Sequence, residues 1–113
     1  MPRSALGRWL PVLVWAAAIF ALSATPSLDS GLGTWDLLLR KTAHIAEYAI
    51  LGALLARALG RALPAFLLAV AYAAGDEFHQ HFVPGRNGTV VDIGIDALGA
   101  ALGVVLYLRL SSG

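Results

Sequence analysis

Three short runs concentrate the side chains that can move protons, hold phosphates or bind metals. The first is Lys41-x-x-His44-x-x-Glu47-Tyr48. The second is Asp76-Glu77-x-His79-Gln80, followed beyond Pro84-Gly85 by Arg86. The third is Asp92-x-x-x-Asp96. His44, Glu47, Asp76, Glu77 and His79 are the candidates for acid–base catalysis, because imidazole titrates near neutrality and a carboxylate can orient it. Lys41, Tyr48, Gln80 and Arg86 are the candidates for holding a substrate, arginine being able to grip a phosphate bidentately. Asp92 and Asp96 stand one helical turn apart, a spacing that can clasp a divalent metal. Imidazole with carboxylate suits zinc or manganese; carboxylates alone suit magnesium or calcium. Neither Ser23 nor Thr42 lies in a nucleophile motif. Metal-assisted and metal-free chemistry both stay open on these residues.

The elements that must position them are set by composition. The chain has 113 residues, enough for one domain, spanning 1–113. Hydrophobic residues make up 58% and charged residues 13%, the latter about half the ~25% of a soluble domain. Mean hydropathy is +0.74. A soluble fold of this length could not keep that much apolar surface from water, and disorder is excluded on the same ground. A net charge of +1 without a basic tract gives nucleic-acid binding no electrostatic support. The absence of cysteine removes disulfide scaffolds, thiolate metal sites and cysteine nucleophiles. These exclusions leave an integral membrane protein.

A helix crosses the hydrocarbon core with roughly 20 apolar residues. Four such segments are predicted, at about 9–24, 41–59, 62–80 and 90–110. The first starts at Trp9, with Pro11 in its first turn, where a missing N–H does little harm. Ala21-Leu22-Ser23 would also fit a signal-peptide cleavage site, but the rest of the chain needs the membrane as well. Apolar character in the second segment begins near Leu37 and is interrupted by Arg40, Lys41, His44 and Glu47. Pro84-Gly85 and Asn87-Gly88 mark a turn between the third and fourth segments. The expected fold is therefore all-α, a four-helix transmembrane bundle with short loops. The bias of basic residues toward the cytoplasm puts both termini there, with Arg3, Arg8, Arg57, Arg61 and Arg109 inside and Arg40, Lys41 and Arg86 outside.

All seven acids and all three histidines then fall on the outer half. At about 100° per residue, Arg40, Lys41, His44, Glu47 and Tyr48 share an arc of about 120° on the second helix. Tyr72, Asp76, His79 and Gln80 share a face of the third, with Glu77 and His81 on a neighbouring face. Asp92, Asp96, Gly99 and Gly103 form a stripe on the fourth. Gly99-x-x-x-Gly103 is a small-residue pattern that admits another helix closely, so the acidic stripe is expected to face the bundle. Membrane-depth charges are costly. Interfacial residues pairing merely to tie the helices together would be one reason to keep them; a functional site is the other.

At these residues the sequence resembles the VanZ-like family of small bacterial membrane proteins. The resemblance runs from Phe20-x-x-Ser23-x-x-Pro26 through Lys41-x-x-His44-x-x-Glu47-Tyr48-x-x-Leu51-Gly52. It continues with Asp76-Glu77-x-His79-Gln80-x-Phe82-x-Pro84-Gly85-Arg86 and ends with Asp92-x-x-x-Asp96-x-x-Gly99-x-x-x-Gly103. It implies a place at the outer face of the cytoplasmic (inner) membrane and a role in the cell envelope, the family's founding member being linked to teicoplanin resistance. It does not supply a reaction.

Two functions follow as expectations. One is an enzyme acting on the head group of a membrane lipid or lipid-linked envelope precursor. The other is a non-enzymatic protein that binds lipid, glycopeptide or an envelope partner and alters surface exposure. A proton or ion path is disfavoured, because the inner halves of the helices lack the polar groups that a path needs. The sequence does not fix an oligomeric state.

Overall fold

The structure is a computed structural model and describes residues 4–24, 34–80, 82 and 90–112. Four helices make up the fold: α1 (Ala5–Ala24), α2 (Thr34–Leu59), α3 (Ala62–Gln80) and α4 (Val90–Ser112). Among the described residues there is no strand. At about 1.5 Å rise per residue, helices of 20, 26, 19 and 23 residues are about 28–39 Å long, against a hydrocarbon core of ~30 Å.

Two helices start earlier than the apolar pattern indicates, each for a local reason. α1 begins at Ala5 because Ser4 caps it: the Gly7 N–H donates to Ser4 Oγ at 3.1 Å, a first-turn donor satisfied by a side chain. Pro11 consequently lies inside the helix, beyond its first turn, and cannot donate to the Gly7 carbonyl. α2 begins at Thr34 rather than near residue 41. Arg40 and Lys41 interrupt its apolarity, but neither residue type breaks a helix. α3 and α4 start at Ala62 and Val90, as the spacing predicts. The α2–α3 turn is made by Gly60, at φ 71°. Its N–H donates to the Ala56 carbonyl at 2.7 Å, the single-bond left-handed cap that glycine adopts without steric cost.

The helices run alternately up and down, but they do not close a square. α2 and α3 each touch all three other helices, whereas α1 and α4 are not in contact among the described residues. The bundle is thus a rhombus, with α2 and α3 on its short diagonal. Alanine dominates the centre, with Ala56, Ala65, Ala69, Ala73 and Ala100 buried around Tyr48, Leu51 and Ile19. Large apolar side chains lie outside instead: Leu13 on α1, Ile50 on α2, Phe78 on α3 and Leu106 on α4 are all exposed. Asp76 and Asp96 are buried. A surface of leucine around a centre holding carboxylates inverts the soluble pattern and suits a chain solvated by lipid. Two segments, Ala5–Leu22 and Asp92–Ser111, are long and apolar enough to cross a bilayer by themselves. α2 and α3 have the length, but they carry the charges of the polar end.

Candidate functional site

The site is built on a glycine seam between α2 and α4. A Cβ on Gly99 would lie 2.5 Å from the Ile45 carbonyl oxygen. One on Gly103 would collide with the Ala49 backbone, and one on Gly52 with that of Ala100. With no side chain at these points the two parallel helices approach closely. Near their N-terminal ends, the short aspartates of α4 can therefore reach α2.

Three rungs are anchored on α2, two reaching α4 across this seam and one reaching α3. Lys41 Nζ donates to Asp92 Oδ1 at 3.4 Å, with the side chains 38% and 28% exposed. His44 Nδ1 meets Asp96 Oδ1 at 2.9 Å, with exposures of 20% and 5%. The Tyr48 hydroxyl donates to Asp76 Oδ2 at 3.1 Å, and both residues are buried. Positions 41, 44 and 48 recur at three and four residues, one helix face. The rungs therefore run from a partly open mouth to a closed interior. The His44 ring lies nearly parallel to that of Tyr48, with centroids 6.5 Å apart, so neighbouring rungs touch.

α1 closes the other side. Trp15 Nε1 donates to the Glu47 backbone carbonyl at 2.9 Å, and the Tyr72 hydroxyl donates to the Ala16 carbonyl. Phe20 stacks on His79, with centroids 4.2 Å apart and planes 16° from parallel. Two polar atoms on this face of α3 are buried without a hydrogen-bond partner among the described residues: Asp76 Oδ1 and His79 Nδ1. An unmade hydrogen bond on a buried group is expensive.

Residues 4–111 match the family model described as VanZ/LLP1. The chain belongs to the VanZ-like family. No curated protein and no solved structure matches it.

The structure of this VanZ-like chain brings together Lys41, His44, Tyr48, Asp76, Asp92 and Asp96, with His79 on the adjoining face of α3. Glu47 and Glu77 are half-buried, Glu47 near enough to act on the His44 ring. The side chain of Gln80 and the whole of Arg86 lie outside the described residues, as do Arg40's side chain and His81. Asp92 and Asp96 share the inward stripe with Gly99 and Gly103, but each turns to a different α2 side chain. Asp92 pairs with Lys41 and Asp96 with His44; among the described residues no group of three histidine or acidic side chains is placed to hold a metal ion. The aromatic clasp by α1 was not legible from the residue runs. Phe20 appears there only as part of a weak motif, and Trp15 carries no periodic signal that points to a carbonyl 32 residues away.

Proposed function

We propose that this VanZ-like protein spans the cytoplasmic membrane four times as one domain and acts on the head group of a membrane lipid or lipid-linked envelope precursor. Both termini lie in the cytoplasm and the polar end faces the extracytoplasmic leaflet, where the bias of basic residues places it. The observation that carries the enzymatic reading is the His44–Asp96 contact of 2.9 Å. With Nδ1–H donating to the carboxylate, the ring is held in one tautomer and Nε2 carries the lone pair. That is how a histidine is prepared as a general base. Asp96 is the positioning residue. Lys41, at the mouth, and Arg86 are the cations that meet a phosphate, a group that carboxylates alone would repel. Asp76 and His79 offer the unpartnered acceptor and ring nitrogen that orient the head group, and Tyr48 holds Asp76. Glu47, Glu77 and Gln80 flank the site.

The second reading is a non-enzymatic binder that changes the surface exposure of a lipid or glycopeptide. It is favoured by the closure of all three α2 rungs, which stabilises the bundle whether or not a reaction occurs. Purified protein incubated with total lipid extract, with and without divalent metal, and followed by head-group mass spectrometry separates the two. On the enzymatic reading His44→Ala lowers turnover by about 10²–10⁴-fold, the usual contribution of a positioned acid–base group. Asp96→Asn lowers it as well, while membrane insertion of both variants is unchanged. Full activity in both variants at normal abundance would make the polar cluster structural. An envelope phenotype that scales with abundance, without any head-group product, would establish the binder.

A further inference from the structure

The opposite end of the bundle carries a second set of features that the polar site does not use. α3 and α4 leave an apolar groove of about 230 Å³ between them, lined by Ala62, Leu63, Phe66, Ala101, Val104 and Val105. Its lining includes Ala62 and Leu63, the first residues of α3, and Arg61 is the residue before that first helical turn. That position ordinarily favours serine, threonine, aspartate or asparagine, and the positive end of the helix dipole disfavours a cation. The first turn of α3 contains no acid to compensate. Arg109 lies one turn beyond Val105, on the same face of α4, and both arginines are exposed. Arg109 is explained by its place in the last turn of α4, where the dipole favours a cation. Arg61 lies two residues past the C-terminal end of α2, whose dipole favours a cation, and directly before the N-terminus of α3, whose dipole does not. No acid occurs within residues 48–75 or 97–113, so this end is uniformly positive.

We infer that this groove binds one anionic phospholipid, its phosphate at Arg61, Arg109 and the first N–H groups of α3, and one acyl chain along Phe66, Ala101 and Val105. The helix N-terminus supplies oriented donors, and the arginines supply charge that zwitterionic head groups do not balance. Basic pockets between membrane helices take up anionic head groups in this way. The apolar lining below lacks any polar side chain and matches a lipid tail. The inference rests on the membrane reading, not on the chemistry at the other end.

The test uses the full-length protein in nanodiscs of phosphatidylcholine, with phosphatidylglycerol titrated in. Bound lipid is counted by native mass spectrometry, and thermal unfolding is followed in parallel. One phosphatidylglycerol is expected to be retained and to raise the melting temperature. Arg61→Gln should weaken retention by about tenfold, the value of one charge-assisted contact, with the melting temperature in pure phosphatidylcholine unchanged. Val105→Trp, at an exposed position that fills the groove, should also release the lipid. Equal retention of both lipids, an unchanged preference in Arg61→Gln, or full reproduction of the shift by inorganic phosphate would overturn the site. A chain that does not enter phosphatidylcholine nanodiscs would overturn the membrane reading and this site with it. A chain that enters without preference overturns this site alone.

Discussion

Tyr48 and Asp76 are both buried, and the cost of parting them is set by that burial. Tyr48→Phe removes the donor from a carboxylate whose other oxygen already has no hydrogen-bond partner among the described residues. An unsatisfied buried group costs about 1–3 kcal/mol, more when charged. Tyr48→Phe is thus expected to lower the unfolding temperature in detergent, and Asp76→Asn in the same chain to restore part of the loss by removing the charge. Strictly additive losses in a double-mutant cycle would show that the two side chains are energetically independent. Lys41→Ala should behave differently. Its pair with Asp92 is longer and more exposed, and exposed pairs contribute only ~0–1 kcal/mol. Its unfolding temperature should stay near that of the parent, while any loss appears in substrate affinity. The identities of the rung residues were readable from three short runs of sequence. Which partner each would take was not, because Lys41, His44 and Tyr48 could each have met any of three aspartates until the packing of α3 on α2 and the offset between α2 and α4 were fixed.

That offset belongs to the helices, and glycine sets it. Gly103→Ala and Gly99→Ala place a methyl group against backbone atoms of Ala49 and Ile45, which cannot swing aside as a side chain can. Both substitutions are expected to loosen the α2–α4 seam and to weaken the Lys41 and His44 rungs together. Gly94 and Gly75 provide the control. A Cβ at either meets nothing within 4 Å, so alanine there should be neutral, or stabilising by up to about 1 kcal/mol through helix propensity. If all four substitutions lower the unfolding temperature alike, close approach is not what these glycines provide. The stripe Asp92, Asp96, Gly99 and Gly103 was legible from spacing alone, as was its inward direction. Gly52, its counterpart on α2, was not, because a single glycine in an apolar helix has no periodicity. The starts of α1 and α2 escaped for a related reason: apolarity locates what lipid covers, whereas caps and helix propensity decide where the helix ends.

For the whole molecule, topology is directly measurable because the chain contains no cysteine. Single cysteines at Thr34 and Asn87 are expected to react with an impermeant maleimide on intact cells, and those at Leu63 and Ser112 only after permeabilisation. The reverse pattern would move the polar end to the cytoplasmic leaflet and the arginine-lined groove to the outer one. The rhombic arrangement has a further consequence, for how the protein is made. Of the four helices, only α1 and α4 contain a segment apolar enough to span by itself. α2 emerges from the ribosome with Lys41 and His44, whose aspartate partners lie on α4, the last helix to be synthesised. α1 does not touch α4 and supplies neither partner. On the four-span reading, Lys41 has no Asp92 partner until residue 92 has left the exit tunnel, and α2 is expected to wait at the translocon or the lipid interface until then. On that reading, release into the bilayer is a late event rather than a helix-by-helix one, and a chain ending at Gln80 is expected to be extracted from membranes by alkaline carbonate under conditions that leave the full-length chain embedded.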